Sequence, residues 1–406
     1  MLNVLGQLLL YVVPFLLVLT TIVTIHELGH FLVARAFGMK VDRFSIGFGK
    51  TLFSRTDRHG IEWRIAALPL GGYVKFSGDL DASSVPDAEG LAELRQRVIA
   101  EHGPGAERDY FHFKPIWQRA LVIVAGPAAN FALAAALFTL LFSVVGEQII
   151  APRVFGVVPG SPAAEAGFQP RDLILAVNDR PVREGAEVTR MVVMSAGEPL
   201  SFTVNRAGRR VDLSATPARQ VVEDDIAGRV KIARIGLDLR PMVEADVSYR
   251  SLNPVEAAGK SVDRIGEVLG TTVTYLGRIF TGKESGDQLS GPLGIAKVAG
   301  GVTKQAAADT NDPGLQALTV ALNLLQLAAI LSIGIGFLNL LPIPILDGGH
   351  LAFYAYEAVA RRPAAAKVQE VSYRVGLALM ACFMLFATWN DLQKLNLFKF
   401  LGGLAS

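Results

Sequence analysis

One cluster in the sequence has residue types and a spacing that suit hydrolytic chemistry, the pattern H-E-x-x-H at His26, Glu27 and His30. Side chains four positions apart share one face of a helix, so the two imidazoles can bind a single Zn²⁺. Glu27 lies beside them and could take a proton from a water that the metal activates. The pattern predicts a metal-dependent hydrolase.

A catalytic zinc commonly has three protein ligands and one open position, so a third ligand is needed elsewhere. Asp347 is the first candidate, because it ends a long charge-free run and precedes two glycines that permit close approach of the backbone. Asp347 could instead cap the helix that follows it. His350 is a rival ligand. The residues alone favour Asp347 but do not exclude His350. His59, His102 and His112 lie in polar segments, where we expect solvated side chains.

The surrounding elements are typical of a membrane protein. Of the 406 residues, 51% are hydrophobic, and the mean hydropathy is +0.38. A spanning helix needs about 20 apolar residues, and the charge-poor segments that approach or exceed this length are residues 4–25, 120–146, 313–346 and 375–390. The first segment continues into H-E-x-x-H. An ionisable cluster in a spanning helix is costly and indicates function, although polar residues snorkelling at a helix end are the alternative reading.

Local sequence features predict where these segments break and how they are oriented. Pro342 and Pro344, with two glycines before them, predict a broken helix at membrane depth. The N-terminal run has no basic start and no small-residue cleavage site, so we expect a retained span rather than a signal peptide. Basic residues in 40–64 and 361–367 place both segments in the cytoplasm, with residues 147–312 outside.

The remaining segments predict strands and short helices. Residues 41–76 alternate as in a β-hairpin. Residues 79–105 predict a polar loop or short helix. Residues 253–281 have the spacing of an amphipathic helix on a membrane or a partner. Residues 160–177 read G-S-P-A-A-E-A-G-F-Q-P-R-D-L-I-L-A-V and resemble the PDZ domains of bacterial proteases, which bind extended peptides at a sheet edge.

Several motifs together resemble those of the site-2 proteases, which are intramembrane zinc metalloproteases, and among them the bacterial regulator of sigma-E protease type. The motifs are H-E-L-G-H at 26–30, A-G-P-A-A-N-F at 125–131, S-G-P-L-G-I-A at 290–296 and N-L-L-P-I-P-I-L-D-G at 339–348. The best-known members carry two PDZ domains in tandem, and this chain shows one.

The resemblance implies a polytopic α-helical membrane protein with about four transmembrane helices, a membrane-associated β-hairpin or sheet and one extracytoplasmic PDZ-like α+β domain. The implied divisions are a first span with H-E-x-x-H at 1–37, a cytoplasm-side hairpin and loop at 38–118, a second span at 119–147, the PDZ-like domain at 148–240, an amphipathic helix and linker at 241–312, a third span with the LDG motif at 313–347, and a cytoplasmic helix or loop, fourth span and tail at 348–406.

The same resemblance assigns roles to site residues. It implies that His26, His30 and Asp347 bind one Zn²⁺. Glu27 is then the general base and later the proton donor to the leaving amine.

The resemblance also names residues near the substrate. Asn130 and Asn339 match family asparagines there, where they could bond its backbone, hold the unwound segment or stabilise the tetrahedral intermediate. Bonding between helices, common for Asn in membranes, is the alternative. Pro342 and Pro344 are expected to keep their segment extended, because Pro fixes φ and lacks a donor. A substrate helix must unwind before its carbonyls can be attacked, and an edge strand can accept the freed groups. We therefore expect the 41–76 hairpin and the 339–347 segment to clamp it.

The predicted function is intramembrane zinc endoproteolysis in the bacterial inner membrane, with the PDZ-like domain periplasmic and the active site near the cytoplasmic side. Expected substrates are single-span proteins already cut once outside, such as anti-sigma factors and remnant signal peptides. The PDZ-like domain would filter by size or bind the new C-terminus. Membrane lipid is the other expected partner, and no basic stripe suggests nucleic acid. A catalytically inactive PDZ-containing scaffold and a zinc transporter are the alternatives; the intact metal-site residues argue against the first, and the nearly apolar spans two and four against the second.

Overall fold

The computed structural model describes residues 4–78, 88–224, 228–239, 241, 246–284, 286–308 and 312–394. The chain forms two compact units, Met1–Leu137 with Ile295–Ala387 and Phe138–Gly294 with Thr388–Ser406. The helices are α1 (Val4–Ala36), α2 (Ala88–His102), α3 (Ile116–Val144), α4 (Pro162–Glu165), α5 (Gly185–Val193), α6 (Pro254–Phe280), α7 (Pro292–Ala308), α8 (Pro313–Asn339), α9 (Asp347–Ala360) and α10 (Ala366–Lys394). The strands are β1 (Val41–Thr56), β2 (Glu62–Phe76), β3 (Glu147–Ile150), β4 (Gly156–Val157), β5 (Leu173–Val177), β6 (Arg180–Pro181), β7 (Leu200–Arg206), β8 (Arg209–Ala215), β9 (Ala218–Asp224), β10 (Gly228–Arg234), β11 (Leu237–Asp238) and β12 (Val247–Arg250).

Four helices of the described chain are long and apolar enough to cross a membrane: Leu10–Ala36, Ile116–Val144, Pro313–Asn339 and Ala366–Gln393. They overlap the four segments predicted from the sequence and fit the polytopic helical class. The fourth helix is longer than its charge-poor stretch, because the polar residues on either side continue the same helix.

Helices α1, α3 and α8 pack together in the first unit around small and branched apolar side chains. Ile22 is fully buried there, beside Val18 and Ala328, with leucines of α3 and α8 around them. At Gly29, α1 lies close to α3: a Cβ added at this position would lie 2.3 Å from the carbonyl oxygen of Ala125. A glycine is required here, because any side chain would force the two helices apart.

The predicted break follows α8. Helix α8 ends at Asn339 and α9 begins at Asp347. The intervening segment is a series of tight turns, in which the N–H of Ile343 donates to Leu341 and the N–H of Leu346 donates to Ile343. The expectation that Pro342 and Pro344 keep this segment extended is therefore wrong. The helix stops before the prolines, and local hydrogen bonds fold residues 340–346 into turns.

The strands β1 and β2 form a bent hairpin in the first unit. Residues 43–46 of β1 lie between two parts of β2, since Phe44 is opposite both Trp63 and Val74. The bends fall at glycines, including Gly47 and Gly71, whose φ angles of 86° and 154° disfavour other residues. The segment at 72–76 thus forms one edge of the sheet.

A hydrogen-bonded turn closes this hairpin. The Asp57 carboxylate accepts hydrogen bonds from the backbone N–H groups of His59 and Ile61 and from the Trp63 indole. The indole bond contributes most to holding the pKa of the Asp57 carboxyl below its usual range. The two strands begin at Val41 and end at Phe76, the range in which the sequence predicts the hairpin, and β1 ends at Thr56.

The second unit contains a four-stranded sheet in the order β6-β5-β7-β8, with antiparallel neighbours. Its core includes Ile174, Phe202 and Val204, with Val188 of α5 packed against them. Arg206 of β7 reaches the buried carboxylate of Asp172 through two hydrogen bonds.

Shorter pairs, β4 with β11, β3 with β12 and β9 with β10, surround this sheet.

Two polar or glycine-rich segments form more helix than predicted. Residues 88–102 form α2, and residues 79–87 of that predicted loop lie outside the described chain. The segment before residue 312 that was predicted as a linker contains α7. The first turn of α7 is capped by a residue far away in the sequence: the N–H of Gly294 donates to the carboxylate of Asp391. The predicted amphipathic helix is α6, and Asn253 and Glu256 form a capping box at its N-terminus.

Candidate metal centre

Three predicted side chains converge in the first unit. His26 Nε2 lies 3.1 Å from Asp347 Oδ2, and His30 Nε2 lies 3.6 Å from Asp347 Oδ1. The two Nε2 atoms are 3.2 Å apart. One potential ligand atom from each of the three side chains lies within 4.8 Å of the other two. Two imidazole nitrogens and a carboxylate oxygen at these separations form a donor set that suits Zn²⁺.

The histidine side of this cluster depends on helix α3. A Cβ added to Gly126 would lie 2.3 Å from His30 Nε2 and 2.9 Å from His26 Cε1. The absence of a side chain at Gly126 therefore leaves the space that the imidazoles and an ion between them need. The sequence contains a signal for this, since Gly29 and Gly126 permit a close crossing of two helices.

The His30 ring is held in one tautomer. Its Nδ1 lies 2.8 Å from the backbone carbonyl oxygen of Val122, in a buried contact. A carbonyl oxygen only accepts, so a neutral His30 ring must carry its proton on Nδ1. The lone pair of Nε2 then points toward Asp347 and is free for a metal.

Asp347 approaches from the other side, as the first residue of α9. Its Oδ2 atom is buried and has no hydrogen-bond donor among the described residues. A buried carboxylate oxygen requires a compensating partner, and a cation held with the two imidazoles supplies one. The three side chains therefore fit a bound metal ion.

The two glycines after Asp347 make this approach possible. A Cβ on Gly348 would lie 2.2 Å from the carbonyl oxygen of Leu341, and one on Gly349 would lie 2.4 Å from that of Ile343. The start of α9 thus packs directly on the turns that precede it, and Asp347 has little freedom to move away.

Glu27 lies between the histidines and the sheet edge. A Cβ on Gly72 would be 3.4 Å from Glu27 Cγ, so β2 passes directly over this carboxylate. The backbone of Val74 also hydrogen-bonds the Glu27 carboxylate. Thr20, two turns earlier on α1, donates a 2.7 Å hydrogen bond to the carbonyl of Pro69. The 69–76 segment therefore follows α1 past the cluster.

A cavity of about 380 Å³ opens beside these groups. It is lined by the three clustered side chains and Glu27, together with aromatic residues of the hairpin. A carboxylate beside three potential metal ligands and a cavity of this size could serve a hydrolytic reaction on a bulky substrate.

The other predicted residues lie in different places. Asn339 lines the cavity, whereas Asn130 is fully buried and contacts His26. Pro344 packs against α10, where a Cβ on Gly376 would lie 3.3 Å from its ring. Pro342 lies in the turns before α9 and does not line the cavity.

Two histidines outside the triad also line the cavity. His350 does so with its ring 3.4 Å from the hydroxyl of Tyr373, outside the three-residue cluster. His112 is half-buried and lines the cavity as well, so the expectation of a solvated His112 is wrong. Its position depends on the fold around Phe111, which is buried in the core beneath the hairpin, and local polarity gave no signal of that.

Comparison with known proteins identifies the relatives of this chain. The model of peptidase family M50 matches residues 14–383. Metalloprotease MmpA of Caulobacter vibrioides is 45% identical over 398 residues, which cover 98% of each chain. A protein of Brucella suis that is named as a zinc metalloprotease is 42% identical over 383 residues, 94% of each chain. A similarly named protein of Mesorhizobium japonicum is 43% identical over 94% of this chain and 98% of its own.

Proposed function

The chain belongs to peptidase family M50 and is a membrane zinc metalloendopeptidase, and we propose that His26, His30 and Asp347 hold the zinc while Glu27 transfers the protons. The observation that carries this proposal is the convergence of the three donor atoms within 4.8 Å of one another, from residues more than three hundred positions apart. Asp347 rather than His350 completes the set, because His350 lies outside it and faces Tyr373.

Each chemical step then has a group on this chain. His26, His30 and Asp347 would hold a zinc ion, which would act as a Lewis acid toward the scissile carbonyl and would lower the pKa of water at this site. Glu27 removes a proton from the attacking water as its oxygen bonds to the carbonyl carbon. When the C–N bond breaks, Glu27 returns that proton to the leaving amine nitrogen. The products are one new carboxyl group, which keeps the second proton of the water, and one new amine.

The sheet edge at 72–76 is the proposed docking strand for substrate. An extended peptide can pair with a free strand edge through its backbone. This edge passes over Glu27, so a peptide bound along it would run beside the zinc ligands. Asn339 lines the cavity and would hydrogen-bond the substrate there. Pro342 and Pro344 would keep the turns before Asp347 in place beside it.

We propose single-span membrane proteins as substrates, including anti-sigma factors and remnant signal peptides. A helix in lipid satisfies its own backbone groups, so it must unwind before its carbonyls can be attacked. The strand edge at 72–76, next to Glu27, would offer backbone hydrogen-bond partners to the unwound chain. This supports a preference for substrates whose helix is easily broken.

The four-stranded sheet of the second unit is proposed to act as a PDZ-like domain over residues 148–240. The Ser161 hydroxyl caps α4 by accepting from the N–H of Ala164, and Gly167 ends this turn with φ of 81°. These features give the 160–177 motif its shape. The domain would bind the C-terminus left by an earlier cut, or exclude substrates whose outer domain is still attached.

The proposed location is the bacterial inner membrane, with the hairpin turn at His59 in the cytoplasm and the turn between β7 and β8 in the periplasm. Single cysteines at His59 and at Gly208, in a Cys382→Ser background, test this orientation. An impermeant maleimide added to intact spheroplasts should label the Gly208 position only. Labelling of the His59 position alone would reverse the topology.

The catalytic assignment is tested with Glu27→Gln in the full-length protein. We expect stoichiometric zinc and loss of cleavage of a model single-span substrate, which should remain bound and can be identified by mass spectrometry. Glu101→Gln, at the exposed end of α2, is the matched control and should cleave normally. Normal cleavage by Glu27→Gln removes Glu27 from its role. A wild-type protein without stoichiometric zinc would instead support the scaffold alternative.

A further inference from the structure

His26 and His30 occupy equivalent positions in the cluster, but their second ring nitrogens have different partners. His30 Nδ1 meets a backbone carbonyl, which accepts its proton. His26 Nδ1 meets the side-chain amide of Asn130 at 3.2 Å, across the interface between α1 and α3. A metal bound at His26 Nε2 requires the ring proton on Nδ1, and this proton needs an acceptor.

The Asn130 side chain can supply that acceptor. It is fully buried, and its Oδ1 has no hydrogen-bond partner among the described residues, while Nδ2 lies nearest to His26. The two ends of an Asn amide have nearly the same shape, so the hydrogen bond decides which end faces a neighbour. A half-turn of the amide places Oδ1 against Nδ1 without moving the backbone.

The backbone of Asn130 is held firmly enough to aim this group. Ser332 of α8 donates a buried 2.8 Å hydrogen bond to the carbonyl of Asn130. Gly336, one turn further on, lets α8 approach closely, since a Cβ there would lie 3.2 Å from the Asn130 Cβ. Asn130 is thus packed between two helices, away from the cavity where a substrate would bind.

We propose that Asn130 is a positioning residue for the metal: its Oδ1 accepts the Nδ1 proton of His26 and keeps the Nε2 lone pair directed at the zinc. His30 receives the same support from the Val122 carbonyl. The two imidazoles are therefore both oriented by α3, one through the backbone and one through a side chain. This role differs from the hydrogen bond to substrate that the family resemblance implied for Asn130.

Zinc affinity of the purified full-length protein, measured by competition with a fluorescent chelator, tests the inference without any cleavage assay. Asn130→Leu keeps the size but removes the acceptor, and zinc binding should weaken about 10–100-fold, as is usual for such partners. Asn130→Asp keeps an acceptor at the same place and should bind zinc as tightly as the parent or more tightly. Cobalt-substituted Asn130→Asp should retain the visible absorption bands of the parent, whereas Asn130→Leu should alter them.

Two further variants separate the possible outcomes. Gly334→Ala changes the same helix where an added Cβ meets nothing within 4 Å in the described structure, and it should leave zinc affinity unchanged. The inference rests on the proposed ligand role of His26, so His26→Ala is measured beside it. Unchanged affinity in His26→Ala overturns the ligand assignment and the inference together. Loss in His26→Ala with unchanged affinity in Asn130→Leu overturns the inference alone.

The orientation of the amide has its own decisive result. If Asn130→Asp loses zinc as strongly as Asn130→Leu, the amide acts as a donor to His26 and the inference is wrong. Should Asn130→Leu fail to fold, as judged by circular dichroism and gel filtration, the comparison of Asn130→Asp with the parent decides alone.

Discussion

The two sides of the proposed metal centre are built differently. His26 and His30 lie within a long helix, and each ring has a hydrogen-bond contact with α3 on the side away from the cluster. Asp347 instead begins a helix after seven residues of turns, and its buried Oδ2 has no hydrogen-bond donor among the described residues. The histidine side is held by neighbouring helices, while the aspartate side is held by the path of its own backbone.

This difference indicates how each side can fail. The histidine side is sensitive to the space between α1 and α3, because glycine at 29 and 126 permits the crossing. The aspartate side is sensitive to the turns that lead into α9. A change at Gly126 should abolish metal binding by displacing the imidazole rings, while changes in the turns before α9 should lower both metal affinity and stability.

The largest effect is expected from Gly126→Ala. The added methyl would lie 2.3 Å from His30 Nε2, so the ring must rotate out of the cluster. We expect loss of stoichiometric zinc by atomic absorption and loss of cleavage. Gly334→Ala is the matched control, because a Cβ there meets nothing within 4 Å in the described structure. Full zinc in Gly126→Ala would show that α3 does not set the histidine geometry.

The next effect is expected from Asp347→Asn. The amide keeps the shape but lacks the charge that a zinc ligand provides, so zinc affinity should fall strongly while the two histidines retain weak binding. His350→Ala should leave affinity unchanged by chelator competition. Loss of zinc in His350→Ala, with normal binding in Asp347→Asn, would exchange the roles of these two residues.

A smaller effect on metal binding, coupled to stability, is expected from Gly349→Ala. Its Cβ would lie 2.4 Å from the Ile343 carbonyl oxygen, so the turns before α9 must shift. Forcing extra atoms into such a packed site costs about 1–3 kcal/mol, which thermal unfolding in detergent should detect. Gly259→Ala in α6 has open space around it and should not lower the unfolding temperature. Equal behaviour of the two variants would contradict a backbone-held aspartate side.

The smallest effect is expected from Tyr373→Phe. The hydroxyl lies 3.4 Å from the His350 ring, which lines the cavity but does not join the metal cluster. Zinc affinity should be unchanged, and cleavage should fall by no more than a few-fold. A strong loss of zinc would extend the aspartate side of the centre to α10.

The sequence predicts the catalytic helix well, because i, i+4 spacing alone brings His26 and His30 together. It predicts the four spans by hydropathy and the break after α8 by proline and glycine. The choice of Asp347 over His350 is different, since both residues lie within one helical turn. Only the folded path of residues 340–346 determines which of them reaches the histidines.

Other features depend on contacts that no local pattern encodes. The start of α7 is capped by Asp391, which lies almost a hundred residues later in the chain. The hydrogen-bond partner of His26 depends on how α1 and α3 are rotated relative to each other. This rotation places Asn130, rather than a neighbouring residue of α3, opposite the His26 ring. The position of His112 depends on the burial of Phe111 beneath the hairpin.

The distance in sequence between His30 and Asp347 gives the bound metal a second consequence. An ion held by both would act as a cross-link that closes a loop of more than three hundred residues, and ligands that bind only the folded state stabilise it by mass action. The first helix of the chain and the ninth would then be joined by coordination bonds as well as by packing. Zinc supply would thereby control how long the protease persists, not only how fast it cuts.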